Sequence, residues 1–144
     1  MAIFYYSEDI PLPCFKKRFL NKWIKEIAAN YNKVIGTITY MFCTDGKILE
    51  INNQYLQHDY YTDIITFVYT DGNEISGDLV ISLDTVKTNA EKFGVDYMNE
   101  LYRVIIHGIL HLCGINDKTS NEQATMTGAE NSALVELRKM LSDK

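Results

Sequence analysis

The sequence predicts an α/β domain of the layered α+β type, with a small mixed sheet of about four strands packed against about five helices. Three observations predict it. Runs of β-branched and aromatic residues alternate with segments of helical periodicity, so helices fall between strands. One segment, around residue 107, is apolar over most of a helical circumference and must lie centrally. No repeat, low-complexity tract or linker interrupts residues 1–144, so a single domain is expected.

The elements follow in order. Ile3 to Tyr6 is a short strand, and Pro11-Leu-Pro13 then starts a helix from about Cys14 to Tyr31, since proline is tolerated in a first turn. That helix sets Phe15, Phe19, Leu20, Trp23, Ile24 and Ile27 on one side, with Arg18, Lys22 and Lys25 opposite. Thr37 to Cys43 reads as a strand, and Asp45 is the expected cap of a helix running to about Gln57. His58 to Asp63 reads as a loop and Ile64 to Tyr69 as a strand, followed by a turn at Asp71-Gly-Asn73. Gly77 to Ser82 is the last strand. Asp84 opens a helix that stops at Gly94, a longer one runs from about Met98 to Cys113, and the last from about Ser120 to Leu141.

Composition limits the function. With 144 residues, 47% hydrophobic and 23% charged, the chain can bury a sizeable core. Nineteen acidic against 14 basic side chains leave a net charge of −5, which argues against a nucleic-acid binder held by bulk charge. Three cysteines without a C-x-x-C pair, no signal peptide and no membrane span suggest a cytoplasmic protein with no membrane partner.

The chemistry concentrates in His107-Gly-Ile-Leu-His-Leu-Cys-Gly-Ile-Asn-Asp117. Residues four apart leave a helix on the same face, so His107 and His111 can share one metal ion. Gly114 allows the left-handed turn that ends the helix and returns Asp117 as a third ligand. Two histidines and a carboxylate leave a position open for water, as in a catalytic site. The bland alternative is a hydrogen-bonded histidine pair with Asp117 capping the last helix. Around this helix the polar stripe is Glu100, Arg103, His107 and His111, and Cys113 points away as a packed thiol. Gly108 stands where H-E-x-x-H peptidases carry their glutamate base.

These residues resemble the YbeY family of bacterial metal-dependent endoribonucleases, whose hallmark is H-G-x-L-H-L-x-G-Y-D-H. Ile51 to Phe67 is similar to a second family motif, L-N-x-x-Y-R-x-x-D-x-P-T-D-V-L-S-F. Gly77 to Ser82 is similar to its Gly-Asp-Ile strand, and Glu122, Met126 and Glu130 resemble its acidic last helix. The resemblance spans nearly the whole chain. It implies single-strand cleavage in ribosomal RNA maturation (small-subunit 3′-end processing and quality control), with Zn²⁺ or another divalent transition metal. The implied partners are ribosomal RNA and the small subunit, not DNA.

The chain departs from the pattern at several positions. Asp117 replaces the usual third histidine, Ile115-Asn116 the preceding Tyr-Asp, Leu56 the arginine, Tyr61 the proline and Thr66 the serine. His58, Tyr60 and Arg103 are candidates to replace the arginine. Asp63, Thr66 and Arg103 are candidate catalytic residues. A strand-end cap for Asp63, a sheet hydroxyl for Thr66 and a turn carboxylate for Asp78 are the competing readings. A zinc metallopeptidase and a non-catalytic ribosome-associated metal protein remain the alternatives in function.

Overall fold

A computed structural model describes residues 2–56 and 63–142, with the backbone alone at 55 and 56. The described elements are β1 (Ala2–Ser7), α1 (Lys17–Asn30), β2 (Val34–Cys43), α2 (Asp45–Leu56), β3 (Ile64–Val68), β4 (Glu74–Ser82), α3 (Leu83–Phe93), α4 (Tyr97–Leu112) and α5 (Ser120–Ser142). The strands form one mixed sheet in the order β1-β2-β4-β3. β1, β2 and β4 run parallel, and β3 pairs antiparallel with β4. The architecture is the layered α+β domain that the sequence predicts.

Alternation along the strands divides the core. Ile38, Tyr40 and Phe42 of β2, with Leu79 and Ile81 of β4, face α1, α3, α4 and α5 in one large cluster. Cys43, Ile65 and Val80 face the other way and are covered by Ile48 of α2. On α4, Leu101, Ile105, Ile106, Ile109 and Leu110 are fully buried, so this helix is central. The Tyr40 hydroxyl donates to the Ile105 carbonyl (3.0 Å), and Trp23 Nε1–H of α1 donates to the Ala133 carbonyl of α5 (2.8 Å).

Several boundaries and caps differ from expectation. Helix α1 starts at Lys17, after an extended stretch in which Phe15 packs on Tyr5 and Phe42, with ring centroids 5.8 and 5.5 Å apart. Strand β2 starts at Val34; Gly36 hides its first residues, and a Cβ there would lie 2.2 Å from Ser76 Oγ. Asp45 does not cap α2. The Lys47 N–H donates to Thr44 Oγ1 (3.3 Å), while Asp45 accepts from the Ser82 hydroxyl (2.6 Å) and from Thr85 Oγ1. Helix α3 opens at Leu83, one residue before the expected Asp84, and Ser82 caps it, accepting from the Thr85 N–H at 3.2 Å. Asp84 instead accepts from the Asp45 N–H (3.0 Å), lacing the two helix starts together. Among the described residues no helix is long and apolar enough to cross a membrane.

Candidate active site

Helix α4 is nearly encircled by core, which leaves its polar stripe against α5 and the start of β3. His107 and His111 lie one turn apart on that stripe, both half-buried. The helix ends as its glycine requires. Gly114 has φ +102°, its N–H donates to the His111 carbonyl (3.0 Å), and the Ile115 N–H donates to the Leu110 carbonyl (3.1 Å). The reversed chain brings Asp117 back to the first histidine, with Oδ2 3.4 Å from His107 Nε2.

The other ring nitrogen is held from α5. His107 Nδ1 lies 2.6 Å from Glu130 Oε2, and the second oxygen of Glu130 accepts from Arg103 Nη1 at 2.8 Å. Arg103 Nη2 in turn donates to Asn131 Oδ1 (2.7 Å). The Glu130 side chain is only 10% exposed, so its hydrogen bonds are made in a poorly hydrated setting where they are strong. Burial pulls the His107 pKa down. The hydrogen bond and charge of Glu130, with the charges of Asp63 and Asp117, outweigh this and leave it above the ordinary value.

Asp63 belongs to the same group. Burial raises its carboxyl pKa more than the neighbouring His107 and the backbone N–H groups lower it. Glu100, also on the stripe, is raised by burial against the pull of Arg103. Thr66 pairs with Leu79 in the sheet and faces the same side as Ile64, but no hydrogen bond or ion pair links it to His107. The guanidinium of Arg103 is occupied by Glu130 and Asn131, so it holds the site rather than filling the place of the family arginine. His58, Tyr60 and Tyr61, and the side chain of Leu56, lie outside the described residues. Burial pushes the Cys113 thiol up to about 11, as suits a packed thiol.

Among the described residues no three His, Cys, Asp or Glu side chains converge tightly enough to enclose an ion. The pair formed by His107 and Asp117 nevertheless fits two vertices of one. A separation of 3.4 Å exceeds that of a charge-assisted hydrogen bond. It matches the ~3.4 Å between two ligands held tetrahedrally at about 2.0–2.1 Å from Zn²⁺. Glu130 on Nδ1 leaves Nε2 as the nitrogen that would face an ion, the usual carboxylate–histidine arrangement behind a metal ligand.

From the sequence Glu130 reads only as part of an acidic helix. Its position carries a sharper signal, because it stands among Met126, Ala133, Leu134 and Leu137, the buried stripe of α5. A carboxylate in an apolar stripe requires a buried partner.

A family model described as Endoribonuclease YbeY matches residues 7–138. The chain belongs to the YbeY family. YbeY relatives named Endoribonuclease YbeY include one from Parabacteroides distasonis, 66% identical over 93% of this chain and 94% of its own length. Another, from Bacteroides thetaiotaomicron, is 62% identical over 93% and 98% respectively. A third, from Porphyromonas gingivalis, is 49% identical over 97% and 93%. The YbeY chain also superposes on the solution structure of a Thermotoga maritima protein with a TM-score of 0.64 and 24% identity. That alignment covers 99% of this chain and 96% of the other and shows a shared fold.

Proposed function

We propose that this protein is a metal-dependent endoribonuclease that cuts single-stranded RNA in ribosomal RNA maturation, with Zn²⁺ held by His107, His111 and Asp117. The observation that carries the reading is His107 itself, with one ring nitrogen fixed by Glu130 and the other 3.4 Å from the Asp117 carboxylate, in a chain of the YbeY family. When bound, Zn²⁺ supplies an acidified water and positive charge for the oxyanion of phosphodiester cleavage. Glu130 keeps the Nδ1 proton and so presents Nε2. Arg103 anchors Glu130 against α4. Asp117 contributes one negative charge to the donor set, which makes the site less electrophilic than three neutral histidines would. Asp63, half-buried near His107, is the carboxylate assigned to take the proton of the attacking water.

A peptidase reading is disfavoured by packing as well as by sequence. A Cβ at Gly108 would sit 3.0 Å from both Ile64 Cδ1 and Leu79 Cδ1. A glutamate base has no room there and would point into the sheet.

The test is elemental analysis of protein purified without added metal or chelator, followed by cleavage of single-stranded RNA. About one zinc per chain, loss of cleavage with chelator and its return with Zn²⁺ are expected. Chelator-resistant cleavage, or a casein-like substrate cut in place of RNA, would overturn the assignment.

A further inference from the structure

Positive charge on this chain is segregated. Between positions 16 and 25 stand Lys16, Lys17, Arg18, Lys22 and Lys25 with no acidic residue, leaving nine cations against nineteen acids on the rest. All five side chains are exposed, and none makes an ion pair or hydrogen bond among the described residues. Helix α1 gains nothing from them. Its first turn holds no acid, cations there oppose the helix macrodipole, and Arg18 repels Lys22 one turn away. A charge pattern that costs its own helix points to something outside the helix.

We propose that this outward face of α1 binds the phosphate backbone of the RNA substrate away from the cleaved bond. The inference rests on the endoribonuclease reading and extends it to how a net-acidic protein grips a polyanion. Arg18, Lys22 and Lys25 on one face, with exposed Lys16 and Lys17 at the start of the helix, make a local positive field on an otherwise negative surface, the complement of a phosphate run. Half-buried Phe15 and Phe19 line a depression with Lys16, Lys17 and Arg18, setting apolar walls beside the cations as single-strand binding surfaces do. The face is rigidly joined to the site. Trp23, on the opposite side of α1, bonds to Ala133, one helical turn from Glu130, and its ring meets Tyr102, next to Arg103, edge-on at 6.2 Å. A lipid surface is the poorer partner, because the apolar side of α1 is already spent: Trp23, Ile24 and Ala28 have no exposed surface left to insert.

The experiment compares Arg18→Gln/Lys22→Gln/Lys25→Gln with a control, Lys87→Gln/Lys92→Gln, on exposed positions of α3. Binding of a long single-stranded RNA is titrated against salt, and KM and kcat are measured on that RNA and on a short oligonucleotide. With a slope of about −0.7 per neutralised phosphate, the triple variant should make the log–log slope shallower by about 2. It should raise KM on the long RNA and leave kcat and short-oligonucleotide cleavage unchanged, whereas the control should match wild type. An unchanged slope in the triple variant, or an equal change in the control, would overturn the proposal while leaving the cleavage reading intact. Loss of binding to anionic phospholipid vesicles with RNA binding unaltered would likewise overturn it. If wild type cuts neither RNA, the endoribonuclease reading itself falls.

Discussion

His107 Nδ1 and Glu130 Oε2 stand 2.6 Å apart, joining the central helix to the last one at the point where the site opens. The contact spans 23 positions of sequence and lies on the far side of the ring from Asp117.

If His107 binds zinc as proposed, removing that partner should weaken metal binding without unfolding the chain. Glu130→Gln is expected to lower zinc affinity by about 10–100-fold, the usual cost of losing the group behind a histidine ligand. Competition with a chromophoric chelator measures this, and circular dichroism checks the fold. Wild-type affinity in Glu130→Gln would show that the contact only braces the two helices.

The third ligand separates two readings of Asp117. As a ligand, its loss in Asp117→Ala should weaken zinc binding by more than about 100-fold, and Asp117→His should retain zinc because imidazole suits the same vertex. The last helix is capped by Thr119, whose Oγ1 accepts from the Glu122 N–H (3.1 Å), so an Asp117 that is no ligand holds only its contact to His107, and Asp117→Ala should then leave zinc affinity untouched. Zinc affinity and thermal unfolding of both variants decide between them.

The cysteines give a pH dependence whose sign is fixed. Burial pushes the Cys43 thiol up to about 12, while in the unfolded chain it ionises near its ordinary value of 9.0. Above that value the unfolded state releases a proton that the folded state keeps. Stability is therefore lost as pH rises between the two, by at most about 1.4 kcal/mol per pH unit for this group. Denaturant unfolding at stepped alkaline pH should show a steeper decline in wild type than in Cys43→Ala. A thiol reagent at pH 8 should modify exposed Cys14 quickly and Cys43 only on unfolding. Equal alkaline slopes for the two proteins would contradict the burial account.

Two glycines on helices should respond in opposite directions. At Gly108 a methyl group is crowded by Ile64 and Leu79, so Gly108→Ala should lose about 1–3 kcal/mol to overpacking against a helix gain of about 1 kcal/mol. At Gly128, on the exposed side of α5, a methyl group meets nothing within 4 Å, and Gly128→Ala should gain about 0.5–1 kcal/mol. Chemical denaturation of the pair measures both. Stabilisation by Gly108→Ala would mean that α4 sits less tightly on the sheet than its contacts indicate.

Local features were legible where a single residue type decides the outcome. Gly94, at φ +66°, ends α3 as expected, and Gly114 ends α4 and turns Asp117 towards His107. The wheel of α4 placed it centrally because its apolar residues cover most of the circumference. Caps are not legible where neighbouring residues compete, as at Thr44-Asp45 and Ser82-Leu83-Asp84, since only tertiary contact tells which oxygen stays home. The strand order β1-β2-β4-β3 is set by packing across the sheet and leaves no local trace. Arg103 and Glu130 were both visible as residues, but their pairing joins positions 27 apart and emerges only once α5 lies against α4.

Trp23 is the chain's one tryptophan, fully buried, with its indole N–H bonded to the backbone of α5. Its emission is therefore an optical gauge of how the helix rich in lysine sits on the helix that carries Glu130 and on Tyr102 of the central helix. Any treatment that parts the ring from these contacts should shift the emission to longer wavelength as water reaches it, and one that leaves them intact should not. The molecule thus carries a native reporter whose signal needs no label.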